Sequence, residues 1–300
     1  NRIDDAIIGY REFAGMNAAK GTEELENLDY NLGYAYFKKN EYSRAIEFFK
    51  RYSENSSNEV ARRNDALLRL GDTYFVSSQY WPAIEAYDKA LSLSGDNDYA
   101  AFQKAMSYGF IDRRDTKIAE LKSFINQYSR SSFRDDAMYE LGNTYVSANN
   151  TGEALSAYDR LIREVSQSAF VPKAMLRQDN TTYESAENQY FNNQYDRAIT
   201  GFEDYLQRFP NGIHSINANF YLGQLYYRNG NKDKAAANYR FVADKPKNEF
   251  TEQALSRLSE ILLENENYRE AVGYLEKLKK QASSEQNTIF AQSNLMKSYL

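Results

Sequence analysis

A five-residue phrase recurs along this chain and limits its fold more than any other feature. Leucine, glycine, two variable residues and tyrosine occur in that order at 32–36, 70–74, 141–145 and 222–226. Nine residues after each of these tyrosines stands an alanine, and four residues after each alanine stands an aromatic residue. Positions four apart share one face of a helix. The pattern therefore predicts pairs of antiparallel helices that stack along the chain.

Weaker copies of the phrase fill the gaps when its glycine is used as a marker position. The intervals between markers are 38, 34, 37, 44, 37, 36 and 37 residues. Small residues are needed at the marker because the two helices of one repeat approach closely there. Only the last marker is large. The marker residues are Gly33, Gly71, Ala105, Gly142, Ala186, Gly223, Ser259 and Met296.

The spacing of leucine, glycine, tyrosine, alanine and aromatic residue resembles the tetratricopeptide repeat, and the resemblance covers nearly the whole chain. It implies an all-α, superhelical solenoid of about seven helix pairs, with partial repeats at both ends. Turn residues between the helices agree with this, at 39–41, 148–150 and 229–231, where asparagine and glycine tolerate left-handed backbone conformations. Because the chain opens and closes inside a repeat, we expect it to be an excised fragment whose targeting sequence, if any, has been removed.

One irregularity divides the array, where the marker interval rises to 44 residues. The run 170–176 looks like the start of a first helix, yet Tyr183 to Ala198 repeats the layout of Tyr30 to Ala45. We predict sub-arrays at 1–178 and 179–300, with an irregular junction near 165–182. Either an insertion forms a longer helix or loop here, or sequence of the natural protein is missing.

Composition excludes several kinds of chemistry. The net charge of −5 lacks the basic face that phosphate binding requires, so nucleic acid is not predicted as a partner. The chain has no cysteine and one histidine, His214, which is interpreted as a surface residue beside a turn. Nucleophilic triads, metal sites and other cofactor sites are not predicted. No stretch is long and apolar enough for a membrane span. An enzyme is therefore not expected.

The resemblance implies where a partner binds. In tetratricopeptide arrays the first helices line the concave face, and the residues three before, one after and four after the marker point into the groove. We expect Tyr139, Tyr183 and Phe220 to be partly exposed there on one continuous surface, with aromatic rings as anchors for a peptide. The predicted partner-binding residues are Tyr30, Tyr34, Phe37, Phe75, Tyr139, Asn143, Tyr183, Glu187, Tyr190, Phe220, Gln224 and Tyr227.

The repeat that runs from Tyr195 to Gly212, followed by 221–223, is similar to repeats of bacterial envelope proteins. The families concerned are the Tol-Pal system periplasmic coordinator, the outer-membrane protein assembly lipoprotein and large periplasmic repeat proteins of Bacteroidetes. This resemblance implies a periplasmic or outer-membrane-associated scaffold that docks a protein or peptide. The alternative is a glycan-binding lipoprotein that stacks sugars on aromatic rings. Partner identity and oligomeric state do not follow from the sequence.

Overall fold

A computed structural model describes residues 2–299 of the chain. Within that range it contains seventeen α-helices, one short 3-10 helix at Asn17–Ala19 and no strand. The chain divides into two compact units, and the boundary between them falls between residues 171 and 172. In each unit, consecutive helices pack against one another. The prediction of an all-α array of helix pairs is confirmed.

The N-terminal unit holds ten α-helices, in which the odd-numbered members from α3 onward are the first helices of their repeats. Their bounds are α1 (Arg2–Ala14), α2 (Glu23–Glu26), α3 (Leu28–Lys38), α4 (Tyr42–Glu54), α5 (Val60–Val76), α6 (Tyr80–Leu93), α7 (Asp98–Gly109), α8 (Arg114–Gln127), α9 (Arg134–Ser147) and α10 (Thr151–Glu164).

The C-terminal unit holds the remaining seven α-helices and keeps the same alternation of first and second helices. Their bounds are α11 (Val171–Phe191), α12 (Tyr195–Arg208), α13 (Ser215–Arg228), α14 (Lys232–Ala243), α15 (Thr251–Glu264), α16 (Tyr268–Gln281) and α17 (Glu285–Ser298).

Marker glycines let the two helices of a repeat touch, as their spacing predicted. A Cβ atom added to Gly71 would lie 2.5 Å from the ring of Tyr87, which is fully buried. At Gly33 the nearest ring atom, from Phe49, would be 2.7 Å away. Carbon atoms pack without strain at about 3.5–4.0 Å. A larger residue at either position would therefore force the helices apart.

Every turn between a first and a second helix contains one residue with positive φ. Asn40 and Asn149, at φ 60° and 56°, and Gly230, at 76°, lie in the three turns predicted from sequence. Asparagine and glycine adopt this left-handed conformation at low cost. In the other four turns the residues with positive φ are Ser78, Asp112, Asn193 and Glu266. Of these, the sequence indicated only Asn193, whose surroundings match those of Asn40.

In several repeats, an acidic residue seven positions before the marker accepts a hydrogen bond from the loop that follows the repeat. Asp98 accepts from the hydroxyl of Ser131, and Asp135 accepts from the hydroxyl of Ser168, both at 2.6 Å. In the C-terminal unit, Asp179 accepts the backbone N–H of Ile213 at 3.1 Å. These bonds fix each loop against the first helix of its repeat.

The irregular stretch forms a single 21-residue helix, α11. Because Asp179 makes the same kind of bond as Asp98 and Asp135, residues 179–191 correspond to an ordinary first helix. Residues 171–178 extend it by about two turns at its N-terminal end. Pro172 stands in that first turn, where its missing N–H costs no helical hydrogen bond. The predicted boundary between 178 and 179 falls inside this helix, and a loss of natural sequence there stays a prediction.

Candidate partner-binding site

Two predicted site residues of α3 belong to a polar network on the N-terminal unit. The hydroxyl of Tyr30 donates to Asp65 at 2.5 Å, and that of Tyr34 lies 3.4 Å from the same carboxylate. Arg69 bridges Asp65 and Asp72, at 3.3 and 2.7 Å. Burial and the bond to Asp65 raise the pKa of Tyr30 far above its usual value. The two rings are half-buried, so each can offer part of its surface to a partner.

Phe37 and Phe75 lie near the turns of their repeats and contact other aromatic rings. The ring of Phe37 lies 5.9 Å from that of Tyr42, and Phe75 lies 5.5 Å from Tyr80. Phe75 also contacts Phe110 at 5.2 Å in an edge-to-face arrangement. Phe110 is 56% exposed, so this cluster continues onto the surface.

Tyr139 and Asn143 on α9 are half-buried but have different surroundings. Tyr139 packs at 5.1 Å from the ring of Phe170. Asn143 accepts a hydrogen bond at 2.8 Å from the hydroxyl of Tyr158, a fully buried residue of α10. The amide of Asn143 therefore satisfies a core tyrosine, and a partner would compete with that bond.

The expected exposure of Tyr183 and Phe220 was wrong, since both side chains are 3% exposed. The ring of Tyr183 stacks on His214 at 4.2 Å, and its hydroxyl donates to Glu187 at 2.6 Å. Phe220 stacks on Phe250 at 4.3 Å. In each case the covering ring comes from the loop after the repeat. These two rings are core residues, so they cannot serve as free anchors for a partner.

His214 is likewise more than a surface residue beside a turn. It is half-buried, and its Nε2 atom lies 2.8 Å from the side-chain oxygen of Asn180. Its ring covers Tyr183, so it contributes to packing of the C-terminal unit. Three of the remaining predicted residues come together in that unit.

A cavity of about 450 Å³ is present in the N-terminal unit between α4, α5 and α6, and a second one of about 260 Å³ lies on the first helices of the C-terminal unit. The latter contains three predicted residues, Tyr190 from α11 and Gln224 and Tyr227 from α13. The hydroxyl of Tyr190 donates to the side-chain oxygen of Gln224 at 2.7 Å, which joins α11 to α13. We name this second space the first-helix cavity. Its other lining residues are Tyr195, Leu225, Arg228, Tyr239, Gln253 and Arg257.

Two arginines give the first-helix cavity its electrostatic character. Arg257 lies over the ring of Tyr227 at 5.1 Å and pairs with Glu260 at 2.7 Å, and this bond raises the pKa of Arg257. Arg228 stacks over the ring of Tyr195 at 4.1 Å and, within residues 2–299, forms no ion pair. A guanidinium over a ring is attracted to the ring face and keeps its positive charge and its N–H donors. The cavity therefore offers hydrogen-bond donors and positive charge beside aromatic surface.

Sequence reasoning missed Tyr195, Arg228 and Arg257. A signal for Tyr195 was present, because an aromatic residue stands five positions after the last groove position in three repeats. These pairs are Phe37 with Tyr42, Phe75 with Tyr80 and Tyr190 with Tyr195, and their rings lie 5.5–6.0 Å apart. The arginines occupy positions that no rule of the repeat marks.

Within residues 2–299, no three histidine or acidic side chains are grouped as metal ligands. Every helix in the same range is too short or too polar to cross a lipid bilayer. The fold defines a helical repeat protein, a class whose extended surfaces are used for binding.

Comparison with known families agrees with this class. Models of the tetratricopeptide repeat match residues 30–100 and 136–168, and a model of the tetratricopeptide repeat-like domain matches residues 172–290. The chain is a tetratricopeptide repeat protein.

Two curated proteins are similar to parts of the chain. A DnaJ homolog subfamily C member 7 homolog of Schizosaccharomyces pombe is 22% identical over 63% of this chain and 39% of its own length. The TPR repeat-containing protein YpiA of Bacillus subtilis is 25% identical over 46% of this chain and 33% of its own length. The chain thus spans between a third and two fifths of these relatives. A tetratricopeptide repeat protein from Parabacteroides merdae, of known structure, aligns with 98% of this chain and 100% of its own at 14% identity and a TM-score of 0.44.

Proposed function

We propose that this chain is a non-enzymatic scaffold that binds a segment of a partner protein on its first helices. The observation that supports the proposal is the first-helix cavity, where Tyr190, Gln224 and Arg257 come from three successive first helices. A site built from several repeats recognises a longer segment than one helix pair can. Tetratricopeptide arrays, like other solenoids, use such extended surfaces for binding.

The chemistry of the cavity favours an acidic or amide side chain of the partner. Arg228 has no ion pair within residues 2–299, so an incoming carboxylate need not displace an internal one. The rings of Tyr190 and Tyr227 supply apolar surface beside that charge, and aromatic residues with arginine are the usual anchors of protein interfaces. We expect the complex to bury about 1,200–2,000 Å² in total.

The same proposal places the protein in the periplasm or at the outer membrane. Its support is the resemblance of the repeat at 195–212 to those of envelope proteins, which concerns sequence alone. The proposal also includes a second contact region, on the N-terminal unit. It consists of the predicted residues Tyr30, Tyr34, Phe37, Phe75, Tyr139 and Asn143.

Glycan binding is the competing function. Sugars stack on open ring faces, but in the first-helix cavity the face of Tyr195 is already covered by Arg228. Tyr190 is likewise surrounded by the rings of Phe191, Tyr195 and Tyr221, at 5.4, 6.0 and 4.7 Å. This packing favours the protein partner.

An affinity capture from envelope extract tests the proposal. The wild-type chain is compared with a variant that carries Tyr227→Ala and Arg228→Gln, and with the matched control Arg269→Gln. Arg269 is an exposed arginine of α16 outside the cavity. A protein captured by the wild type and the control but lost by the double variant is the expected result. Its binding segment should then lose about tenfold in affinity for the Arg228→Gln single variant.

The capture could also contradict the proposal. Equal capture by all three chains would place the interaction elsewhere, and binding of wild type to a glycan array, abolished by Tyr227→Ala, would favour the glycan alternative. Circular dichroism and thermal unfolding must first show that the variants are as helical and stable as the wild type.

A further inference from the structure

The larger cavity of the N-terminal unit, of about 450 Å³, has no role in the proposed scaffold function. Its walls are α4 and α6, the second helices of two successive repeats, and its floor is α5. Leu67 and Leu70 of α5 and Ala86 of α6 line the cavity and are buried, and Leu93 also lines it. The volume falls within the range of about 300–1,000 Å³ that is typical of small-molecule sites.

Side chains supply most of the groups that a ligand could contact in this cavity. All of its lining residues lie inside helices, between 50 and 54, 63 and 74, and 82 and 93. Backbone N–H and C=O groups inside a helix bond to one another. Most main-chain groups around the cavity are therefore already paired, and a flexible apolar chain needs no main-chain partner.

Three cations line the cavity, and each comes from a different helix. Lys50 lies on α4, Arg63 on α5 and Lys89 on α6. Within residues 2–299 none of them forms an ion pair. The Nε atom of Arg63 donates to the carbonyl oxygen of Ser53 at 3.0 Å, which fixes the guanidinium and leaves its terminal N–H groups available. A carboxylate can accept two parallel hydrogen bonds from such a group.

Two carboxylates also line the cavity, those of Glu54 on α4 and Glu85 on α6. Burial, together with the carboxylates of Glu85 and Glu54, raises the pKa of Tyr74. Because both carboxylates act on this hydroxyl, an anionic group is disfavoured near Tyr74. Arg63 is thus the group best placed to bind a ligand's negative charge, and Leu67 and Leu70 supply apolar surface in the same cavity.

We propose that this cavity binds a small amphiphile, an unbranched apolar chain that ends in a carboxylate, with the carboxylate on Arg63 between Lys50 and Lys89. The class includes medium-chain fatty acids. The site lies in the N-terminal unit and shares no residue with the first-helix cavity. It can therefore exist whether or not the scaffold proposal holds.

Calorimetric titration of the whole chain with three probes of equal length tests the proposal. The probes are octanoate, octan-1-ol and octylammonium. We expect octanoate to bind about tenfold more tightly than octan-1-ol, which is the effect of one charge-assisted hydrogen bond. Trp81 is 50% exposed and adjoins Pro82 in the cavity wall, so its fluorescence should change with octanoate.

The neighbouring arginine provides a matched control. Arg63→Gln should remove the preference for octanoate over octan-1-ol, while Arg62→Gln should retain it. Arg62 also lies in the first turn of α5, but it pairs with Glu23 at 3.4 Å and lines a different cavity. Equal thermal unfolding of the two variants shows that the fold is intact.

Three outcomes would overturn the proposal. Absence of octanoate binding would show that the cavity is not a ligand site of this class. Tighter binding of octylammonium would mean that Glu54 and Glu85 select a cation instead. Equal binding of octanoate and octan-1-ol, unchanged in Arg63→Gln, would show that only apolar contact operates.

Discussion

Gly71 illustrates how one missing methyl group shapes a repeat. Its backbone touches the ring of Tyr87, which cannot retreat because its hydroxyl donates to Asp72 at 2.9 Å. Gly273 provides the contrast, since an added Cβ there would meet no atom within 4 Å. Both glycines lie inside helices, α5 and α16.

We expect the same substitution to have opposite effects at these two positions. Gly71→Ala should lower the free energy of unfolding by about 1–3 kcal/mol, because overpacking displaces the Tyr87 ring. Gly273→Ala should raise it by about 0.5–1 kcal/mol, because alanine loses less conformational entropy in a helix. Urea unfolding of both variants measures the difference. Equal effects would contradict the close contact at the marker.

The sequence placed residues on the correct helices but not always at the correct depth. Tyr190 and Phe220 both occupy predicted groove positions, yet only Phe220 is buried. Its cover, Phe250, lies thirty positions further along, in the loop before α15. Which ring is covered depends on a residue of the next repeat, and the spacing inside one repeat does not contain that information.

At the scale of the helices, the repeat pattern predicted the fold well because it reports local contacts. Marker glycines and turn asparagines act within a single helix pair, so their spacing is visible in sequence. The two extra turns of α11 were harder to predict from the sequence. Asp179 can be matched to Asp98 and Asp135 only when the structure shows that all three accept hydrogen bonds from the loops that follow.

One carboxylate holds the segment that leads into α17. Glu252 of α15 accepts hydrogen bonds from the backbone and hydroxyl of Ser283, the backbone of Ser284 and the amide of Asn287. The bonds from Asn287 and Ser283 are the largest of the causes that lower the pKa of Glu252 from 4.5 to about 2. The folded state therefore favours the ionised form.

This depressed pKa predicts a loss of stability in acid. The contribution is complete above about pH 4.5 and disappears as the pH falls toward 2, because the unfolded chain takes up a proton first. Glu252→Gln should destabilise the protein by about 1–2 kcal/mol at neutral pH. Urea unfolding should show that the difference from wild type vanishes near pH 2. The exposed Glu249→Gln is the control, and a constant difference across this range would contradict the assignment.

Across the whole molecule, buried tyrosines make the stability of the repeats depend on pH in the alkaline range. The chain has 26 tyrosines. Burial is the largest of the causes that raise the pKa of four deeply buried ones far above the usual value, those of Tyr87, Tyr183, Tyr205 and Tyr239. Both units contain such residues, so high pH should destabilise the N-terminal and the C-terminal repeats alike.

High pH lowers the stability because the unfolded chain releases tyrosine protons more readily than the folded chain does. Above about pH 10 the unfolded chain loses tyrosine protons that the folded chain retains, so stability falls by about 1.4 kcal/mol per pH unit for each such tyrosine. We expect tyrosinate absorbance to appear in two stages, the second together with the loss of helical circular dichroism. Tyr205→Phe should make the fall in stability shallower by one proton, whereas Tyr268→Phe, at an exposed position, should not. Ionisation of all tyrosines before any loss of helix would contradict this prediction. The buried hydroxyls would then be open to solvent in the folded protein. In that case the packing of second-helix tyrosines against first helices would not hold the repeats together.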